Sequence, residues 1–380
     1  ATIEPIRAAF EGLLPQENIR VWHAPGPVRE EQYRNDTRRE VAELIRESFL
    51  ASLNPDVIHI SSLFEGYVDD AVTSIGRFDR TAQVSVALYD LIPLLNPDQY
   101  LRSNPQYARC YQRKIRQLND AAVLLSISEF TRQEGLTHLN RPEGTIVNIA
   151  TAADPLFCPL QIDEVAAAQL RQKFTVTRPF VLYTGGADER KNLPRLVRAY
   201  AALPTSLRAT HQLLLAGKMS PADVAALQQH AKTAGLKPDE MCLTGYVTDQ
   251  DLACLYNLCA LFVFPSWHEG FGLPALEAMA CGAPVIGANT SSLPEVIDLE
   301  VALFDPMDVN AIAAKMAQAL QDAVFRARLR DHGLQQAQRF SWDQSAKRAL
   351  GAWESLPASG SRLKRSGPLV GRKPRLAFVS

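Results

Sequence analysis

Trp267-His268-Glu269-Gly270-Phe271-Gly272-Leu273-Pro274-Ala275-Leu276-Glu277 is the stretch that decides how this chain folds. The apolar run Leu261-Phe262-Val263-Phe264 precedes it and reads as a strand buried on both faces of a parallel sheet. Pro274 suits a first helical turn, where a missing N–H costs nothing. Gly282, followed by Pro284, suits the stop. The unit is therefore strand, glycine loop, helix. The free N–H groups of such a helix start form an anion site. Glu269 lies in the loop and Glu277 in the helix, so one carboxylate can face a sugar while the other reaches a ribose. A diphosphate would lie between them on the amides of Gly270, Phe271, Gly272 and Leu273. Two glutamates around a glycine turn, taken alone, also fit an acidic surface loop beside a core helix.

A second stretch, Tyr183-Thr184-Gly185-Gly186-Ala187-Asp188-Glu189-Arg190-Lys191-Asn192, follows the apolar run Phe180-Val181-Leu182-Tyr183 and precedes a helix from Leu193 to Ala202. The adjacent glycines Gly185 and Gly186 permit close backbone approach to a ligand. Arg190 can grip phosphate oxygens in a bidentate fork, and Lys191 acts as a point charge. A solvated helix start with a stray basic pair is the plain alternative. Cations at a helix N-terminus oppose the macrodipole, however, which suggests that a ligand keeps them there.

Together the two stretches resemble the E-x7-E signature and the G…R-K-N segment of retaining glycosyltransferases of family 4. That resemblance implies the GT-B fold, with two Rossmann-like domains facing a cleft, and a nucleotide-sugar donor. It implies that Arg190 and Lys191 hold the diphosphate, that Glu269 binds sugar hydroxyls and that Glu277 binds the ribose. The base would rest near Gly245-Tyr246-Val247, mostly on backbone. The chemistry of this fold is usually independent of metal, and no Asp-x-Asp motif stands at a strand end, so neither metal nor cofactor is expected.

The chain has 380 residues, 47% hydrophobic and 21% charged, with a formal net charge of -1. That supports two sizeable cores and carries no global bias toward nucleic acid or an anionic membrane. The cysteines Cys110, Cys158, Cys242, Cys254, Cys259 and Cys281 show neither a CxxC pair nor zinc-ligand spacing. They fit reduced thiols in a cytosol, with Cys254 and Cys259 as core residues. No apolar run reaches membrane-spanning length. Peripheral membrane contact is compatible with the resemblance, because many relatives act on lipid-linked acceptors.

Strands alternate with helices throughout, which argues for an α/β fold of parallel sheets covered on both faces. In the first half, strands are expected at Val57-Ile58-His59-Ile60, at Val84-Ser85-Val86-Ala87-Leu88, near 122–126 and near 146–149. In the second they fall near 180–183, 212–216, 241–243, 261–265 and 284–287. Residues 38–53 read as an amphipathic helix with Val41, Leu44, Ile45, Phe49 and Leu53 on its core stripe. The expected domains are an acceptor-side unit over 1–157 and a nucleotide-sugar-binding unit over 158–340. A last helix over 341–356 crosses back to the first unit, and 357–380 holds a linker and a further strand. Family members open with a strand and a glycine loop. No such strand precedes Ile19-Arg20-Val21-Trp22, which resembles the family's second strand. Pro374-Arg375-Leu376-Ala377-Phe378-Val379-Ser380 resembles the first strand of an adjoining glycosyltransferase module; it could also fill the vacant first-strand slot.

On the acceptor side, Tyr89-Asp90 stands where many relatives carry His-Asp. A phenol donates a hydrogen bond but is a poor base, with an unperturbed pKa of about 10. Asp90 would orient the acceptor hydroxyl, while Tyr89 also fits a half-buried strand-end aromatic. Glu65 is a second acceptor-side candidate. His59 reads as a satisfied core histidine, Ser128 as a helix cap, and Thr290-Ser291-Ser292 as a cap or phosphate contact. His268 fits the sugar pocket or loop packing. The expected activity is transfer of a hexose, with mannose from GDP-mannose as the first candidate, to a saccharide or lipid-linked saccharide in surface polysaccharide synthesis. The alternative is a catalytically silent GT-B module that binds nucleotide or glycan.

Overall fold

The computed structural model describes residues 3–32, 34–357 and 376–379. Their strands form two parallel sheets. The first contains β1 (Val57–Ile60), β2 (Val84–Leu88), β3 (Val123–Ser126), β4 (Ile146–Asn148) and, from the far end of the chain, β11 (Leu376–Val379). Its order is β11-β1-β2-β3-β4. The second contains β5 (Phe180–Thr184), β6 (Gln212–Ala216), β7 (Met241–Leu243), β8 (Leu261–Phe264), β9 (Val285–Ala288) and the short β10 (Leu303–Phe304), in the order β10-β9-β8-β5-β6-β7. Apart from residues 19–22, the strands expected from sequence form within a residue or two of their expected ends; β10 adds an edge strand that its two residues gave no pattern to announce.

The apolar runs are buried on both faces, as a helix-covered parallel sheet requires. β1, β3, β5, β6, β8 and β9 are buried at every position. Tyr183, Tyr200, Tyr256, Phe262 and Phe264 fill the second core without exposed surface. The helix Trp342–Glu354 is capped by Ser341, whose side chain accepts from Gln344 N–H. It returns to the first sheet and buries Trp353 against Val57, Val123 and Leu125. The crossing-back helix is thus an element of the first domain's core.

Three expectations need correction. The helix Asp36–Ser52 forms, but it is turned about its axis. Val41, Leu44, Ile45 and Leu53 face outward, while Arg39, Ala42, Glu43, Arg46, Glu47 and Leu50 are buried. Paired charges make the inversion tolerable. Arg113 bonds Glu43 Oε1 and Glu30 Oε2 at 2.6 Å each, and Glu47 accepts from Ser74 Oγ and Phe78 N–H at 2.6 Å each. A helical period specifies a stripe; it does not specify which stripe finds partners. Second, residues 19–22 form no strand. Trp22 packs near Val28, Ala42 and Val72. Third, Cys259 is buried but Cys254 only partly so, and all six thiols are free.

The expected linker lies outside the described residues over 358–375. β11 pairs in parallel with β1 over Val57↔Leu376 to Ile60↔Val379. A strand from the end of the chain therefore occupies the slot beside β1, the intramolecular arrangement raised from sequence.

Candidate functional site

In the second sheet the chain leaves β5 toward β6 on one side and later arrives at β8 on the other. The loops after β5 and β8 must diverge, which opens a crevice at the strands' carboxyl ends. Both sequence motifs emerge there. After β5, Gly185 bends away at φ 137°, Gly186 accepts a 2.8 Å hydrogen bond from the Tyr183 hydroxyl, and Glu189–Lys191 form a single 3-10 turn. Asn192 then adopts a left-handed conformation, φ 63°. Its amide donates to the carbonyls of Pro265 (3.0 Å) and Pro306 (2.7 Å). Asn192 thus ties the basic turn to the end of β8, and it separates that turn from the helix Leu193–Ala201.

The centre of the site is a three-membered ion cluster. Arg190 Nη1 reaches Glu269 Oε2 at 2.6 Å, and Lys191 Nζ reaches Glu269 Oε1 at 2.6 Å. Arg190 Nη1 also donates to the His268 carbonyl at 2.9 Å. Glu269 is buried. Burial pulls the Lys191 pKa down, and Glu269 only partly offsets it. Burial also opposes the Arg190 charge, but Glu269 outweighs it and holds the guanidinium firmly protonated. Asp188 accepts from Arg190 N–H (3.2 Å) and from the Tyr100 hydroxyl (2.6 Å), a contact across the cleft. Two cations thus share one carboxylate, in a crevice beside a helix start.

That helix, Leu273–Ala280, begins after Gly272 in a left-handed conformation at φ 102°. The first N–H groups of a helix lack acceptors one turn back, and this start follows the carboxyl end of β8. Gly270 is needed for space: a methyl there would overlap the Tyr89 carbonyl of the first domain. Phe271 turns its ring inward, edge-on to Phe340 at 5.5 Å, so only its backbone faces the site. Ser292 Oγ donates to the Glu269 (3.0 Å) and Phe271 (2.7 Å) carbonyls, and Ser291 Oγ accepts from Glu269 N–H at 3.1 Å. These serines were expected to cap or to touch phosphate; they brace the loop instead.

Glu277 stands on the helix Leu273–Ala280, which the Glu269 loop leads into. Tyr256, fully buried, donates to Glu277 Oε2 at 3.0 Å, and Thr184 Oγ1 lies 2.8 Å from the Tyr256 hydroxyl. Burial pushes the Glu277 carboxyl up to about 7, against the lowering effect of the Tyr256 bond. A raised folded-state pKa adds stability that is fully present below the unfolded value and disappears as pH rises through about 7. Binding runs the other way. Were Glu277 to hold a ribose, as expected from sequence, the diol would donate to its carboxylate, and nucleoside diphosphate affinity would rise with pH, by up to about tenfold per unit below the pKa. Calorimetric titrations from about pH 6 to about pH 8 test this. A flat profile in the parent chain would remove Glu277 from the ribose site, and Glu277→Gln should abolish the slope.

Gly245, Tyr246 and Val247 follow β7, two strands from β5. Gly245 accepts from Gly217 N–H at 3.1 Å, and Tyr246 is 73% exposed, so this segment forms the outer rim of the crevice. From the first domain, β2 delivers Tyr89 and Asp90. Tyr89 is 50% exposed, the half-buried strand-end aromatic expected from sequence. Burial raises the Asp90 pKa against the Ile92 N–H bond at 3.0 Å, with Arg190 and His268 close enough to lower it. The structure thus brings Asp90, Arg190, Lys191, Glu269 and Glu277 to one cleft. Glu65 is bonded locally to Ser62 Oγ at 2.7 Å. His59 is a core residue, 3.1 Å from Ser85 Oγ, with its pKa pushed down to about 4 by burial. Ser128 caps the helix Glu129–His138. Sequence reading missed Tyr256, Glu134 and Glu295, because each acts through a partner distant in sequence. Among the described residues no cluster of three or more His, Cys, Asp or Glu has metal-binding geometry, and no helix is long and apolar enough to cross a membrane.

Two parallel sheets facing a cleft, with the basic turn and both glutamates at the switch point of the second, define a GT-B glycosyltransferase module. Residues 167–336 match the family glycosyl transferases group 1, and this domain belongs to it. Over 354 residues the chain is 35% identical to the serotype-specific mannosyltransferase WbdA of Escherichia coli, covering 93% of this chain and 43% of WbdA. The O-antigen chain mannosyltransferase B of Escherichia coli is 36% identical over 240 residues, 63% of this chain and 62% of that protein. The chain spans less than half the length of the WbdA relatives it matches. Anabaena HepE in complex with UDP and glucose shares the fold, with a TM-score of 0.67, 19% identity, and coverage of 83% of this chain and 82% of that one.

Proposed function

We propose that the chain transfers a hexose, mannose from GDP-mannose in the first instance, to a saccharide or lipid-linked saccharide, with retention at the anomeric carbon. The observation that supports this best is the Glu269–Arg190–Lys191 cluster at the switch point, with Glu277 on the helix Leu273–Ala280 that follows the Glu269 loop. Similarity to O-antigen mannosyltransferases favours mannose and a polysaccharide acceptor. On this reading the protein works on the cytoplasmic side, in peripheral contact with the membrane that carries its acceptor, and beside an adjoining glycosyltransferase module.

In the reaction, the donor diphosphate enters between the helix start and the basic turn. Arg190 and Lys191 exchange Glu269 for phosphate oxygens. Glu269, released from both cations, turns to the sugar hydroxyls. The acceptor hydroxyl, oriented by Asp90, forms the new bond to the anomeric carbon on the face that the diphosphate leaves. The anomeric carbon–oxygen bond to phosphate breaks, and the hydroxyl proton passes to the departing phosphate oxygen. Catalysis is positioning plus charge stabilisation. The two side-chain cations and the amides supply the positive field, so this route calls on no metal or cofactor.

Thermal-shift screening against GDP, UDP and ADP and their sugars tests the donor class. A ligand at roughly 100 times its Kd adds about 2.7 kcal/mol of stability to the form that binds it. GDP and GDP-mannose should give the largest shifts, and Lys191→Ala should remove them. A response to UDP alone would exclude GDP-mannose. Tyr89 in the place of the relatives' histidine favours the silent module. Nucleotide binding without transfer by the protein carrying this chain would establish that second reading.

A further inference from the structure

His268 ties three parts of the site together. Its carbonyl accepts from Arg190, and its chain neighbour is Glu269. Its ring crosses to the first domain, where both nitrogens are engaged. Nε2 lies 2.9 Å from Glu134 Oε1, on the helix Glu129–His138, and Nδ1 lies 3.1 Å from Asn96 Nδ2. Asn96 Nδ2 also donates to the Ile92 carbonyl at 3.0 Å, which orients the amide nitrogen toward the ring. With an amide N–H directed at Nδ1, that nitrogen accepts. Nε2 then carries the proton and donates to Glu134. Phe130 stands edge-on to the ring at 5.8 Å.

Glu134 is costly for folding alone. The residue is buried, its Oε1 serves His268, and its Oε2 has no hydrogen-bond partner. An unpaired buried carboxylate oxygen destabilises a fold, and an apolar residue would fill the space more cheaply. Around it the loop is pinned twice more: Thr131 Oγ1 donates to the Gly270 carbonyl at 3.0 Å, and Glu295 accepts from Glu129 and Phe130 N–H at 3.1 Å each. Those bonds hold the domains together. The Glu134 bond, together with the Asn96 bond at the other ring nitrogen, selects the orientation of His268, the residue that precedes Glu269.

We propose that Glu134 is a positioning residue for the transfer reaction: it fixes the His268 imidazole as the Nε2–H tautomer and so holds the Glu269 loop in register with Asp90. This rests on the proposed transferase reading. The residues placed around the diphosphate, Arg190, Lys191, the amides of 270–273 and Glu277, all belong to the second domain. Glu134 therefore acts on sugar geometry and not on nucleotide affinity.

The test uses the protein carrying this chain, with Glu134→Leu and Glu134→Gln. A misplacement of the reacting groups by about 1 Å lowers kcat by up to about 100-fold. Glu134→Leu should show a loss of that order at saturating donor, with the nucleoside diphosphate Kd within about twofold of the parent. Glu134→Gln keeps an acceptor for Nε2–H and should recover most of kcat. Spectra of ¹⁵N-labelled histidine, assigned with His268→Gln, should show the Nε2–H tautomer in the parent and its loss in Glu134→Leu. Parent-like kcat in Glu134→Leu overturns the inference. So does a loss of kcat matched by equal losses of Kd and Tm that Glu134→Gln does not repair, since that marks a purely structural role. A parent without transfer activity defeats the transferase reading instead, and with it any positioning role for Glu134.

Discussion

Glu269→Gln should lower transfer by about 10²- to 10³-fold, the scale of losing one preorganised electrostatic group, while nucleoside diphosphate binds at least as tightly as before. The two effects have one cause. Glu269 is the counter-ion of both Arg190 and Lys191. A diphosphate must compete with it for the same two cations. Removing the charge leaves those cations unpaired, and breaking a buried pair costs about 3–5 kcal/mol. The free variant should therefore melt lower than the parent, and added GDP should restore more stability to it than to the parent. Activity, Tm with and without GDP, and calorimetric Kd measure the three quantities together. Weaker diphosphate binding in Glu269→Gln would show that Glu269 contacts the nucleotide rather than competing with it.

Gly270→Ala should be nearly as damaging, for a reason unconnected with charge. The methyl would overlap the Tyr89 carbonyl, a rigid backbone group at the end of β2. Neither side can yield without moving Thr131, which bonds the Gly270 carbonyl, or Ser292, which braces Glu269 and Phe271. The cleft must then open at its tightest point. A shift of about 1 Å there suffices for a loss of about 100-fold in kcat/KM. Small-angle scattering should report a more open molecule in solution. Gly351→Ala is the control: a methyl there meets nothing within contact range, and the residue, on the helix Trp342–Glu354, belongs to neither motif. Parent-like transfer by Gly270→Ala would mean that the closed arrangement is not the reactive one.

The second-domain half of the candidate site was legible because its chemistry is local. Glycines at turns, a proline at a helix start and apolar runs of strand length each have one ready conformation, and Glu269, Glu277, Arg190 and Lys191 sit within them. The meaning of Asn192 was half legible. The motif contained it, but its left-handed backbone and its bonds to the Pro265 and Pro306 carbonyls depend on residues more than 70 positions away. The first domain was read less well. Its longest amphipathic helix faces opposite to expectation, because Arg113, Ser74 and the Phe78 amide are there to receive Glu43 and Glu47.

By itself, then, the sequence determined the parallel α/β architecture and the strand–glycine–helix unit. Periodicity and turn chemistry are properties of a few neighbouring residues. Only the tertiary structure decided that Glu269 pairs with both cations, that Tyr256 orients Glu277, that β11 lies beside β1 and that Glu134 holds His268 across the cleft. Each of those joins segments brought together by the order of strands and the closing of two domains, and no local pattern in the chain encodes such a meeting.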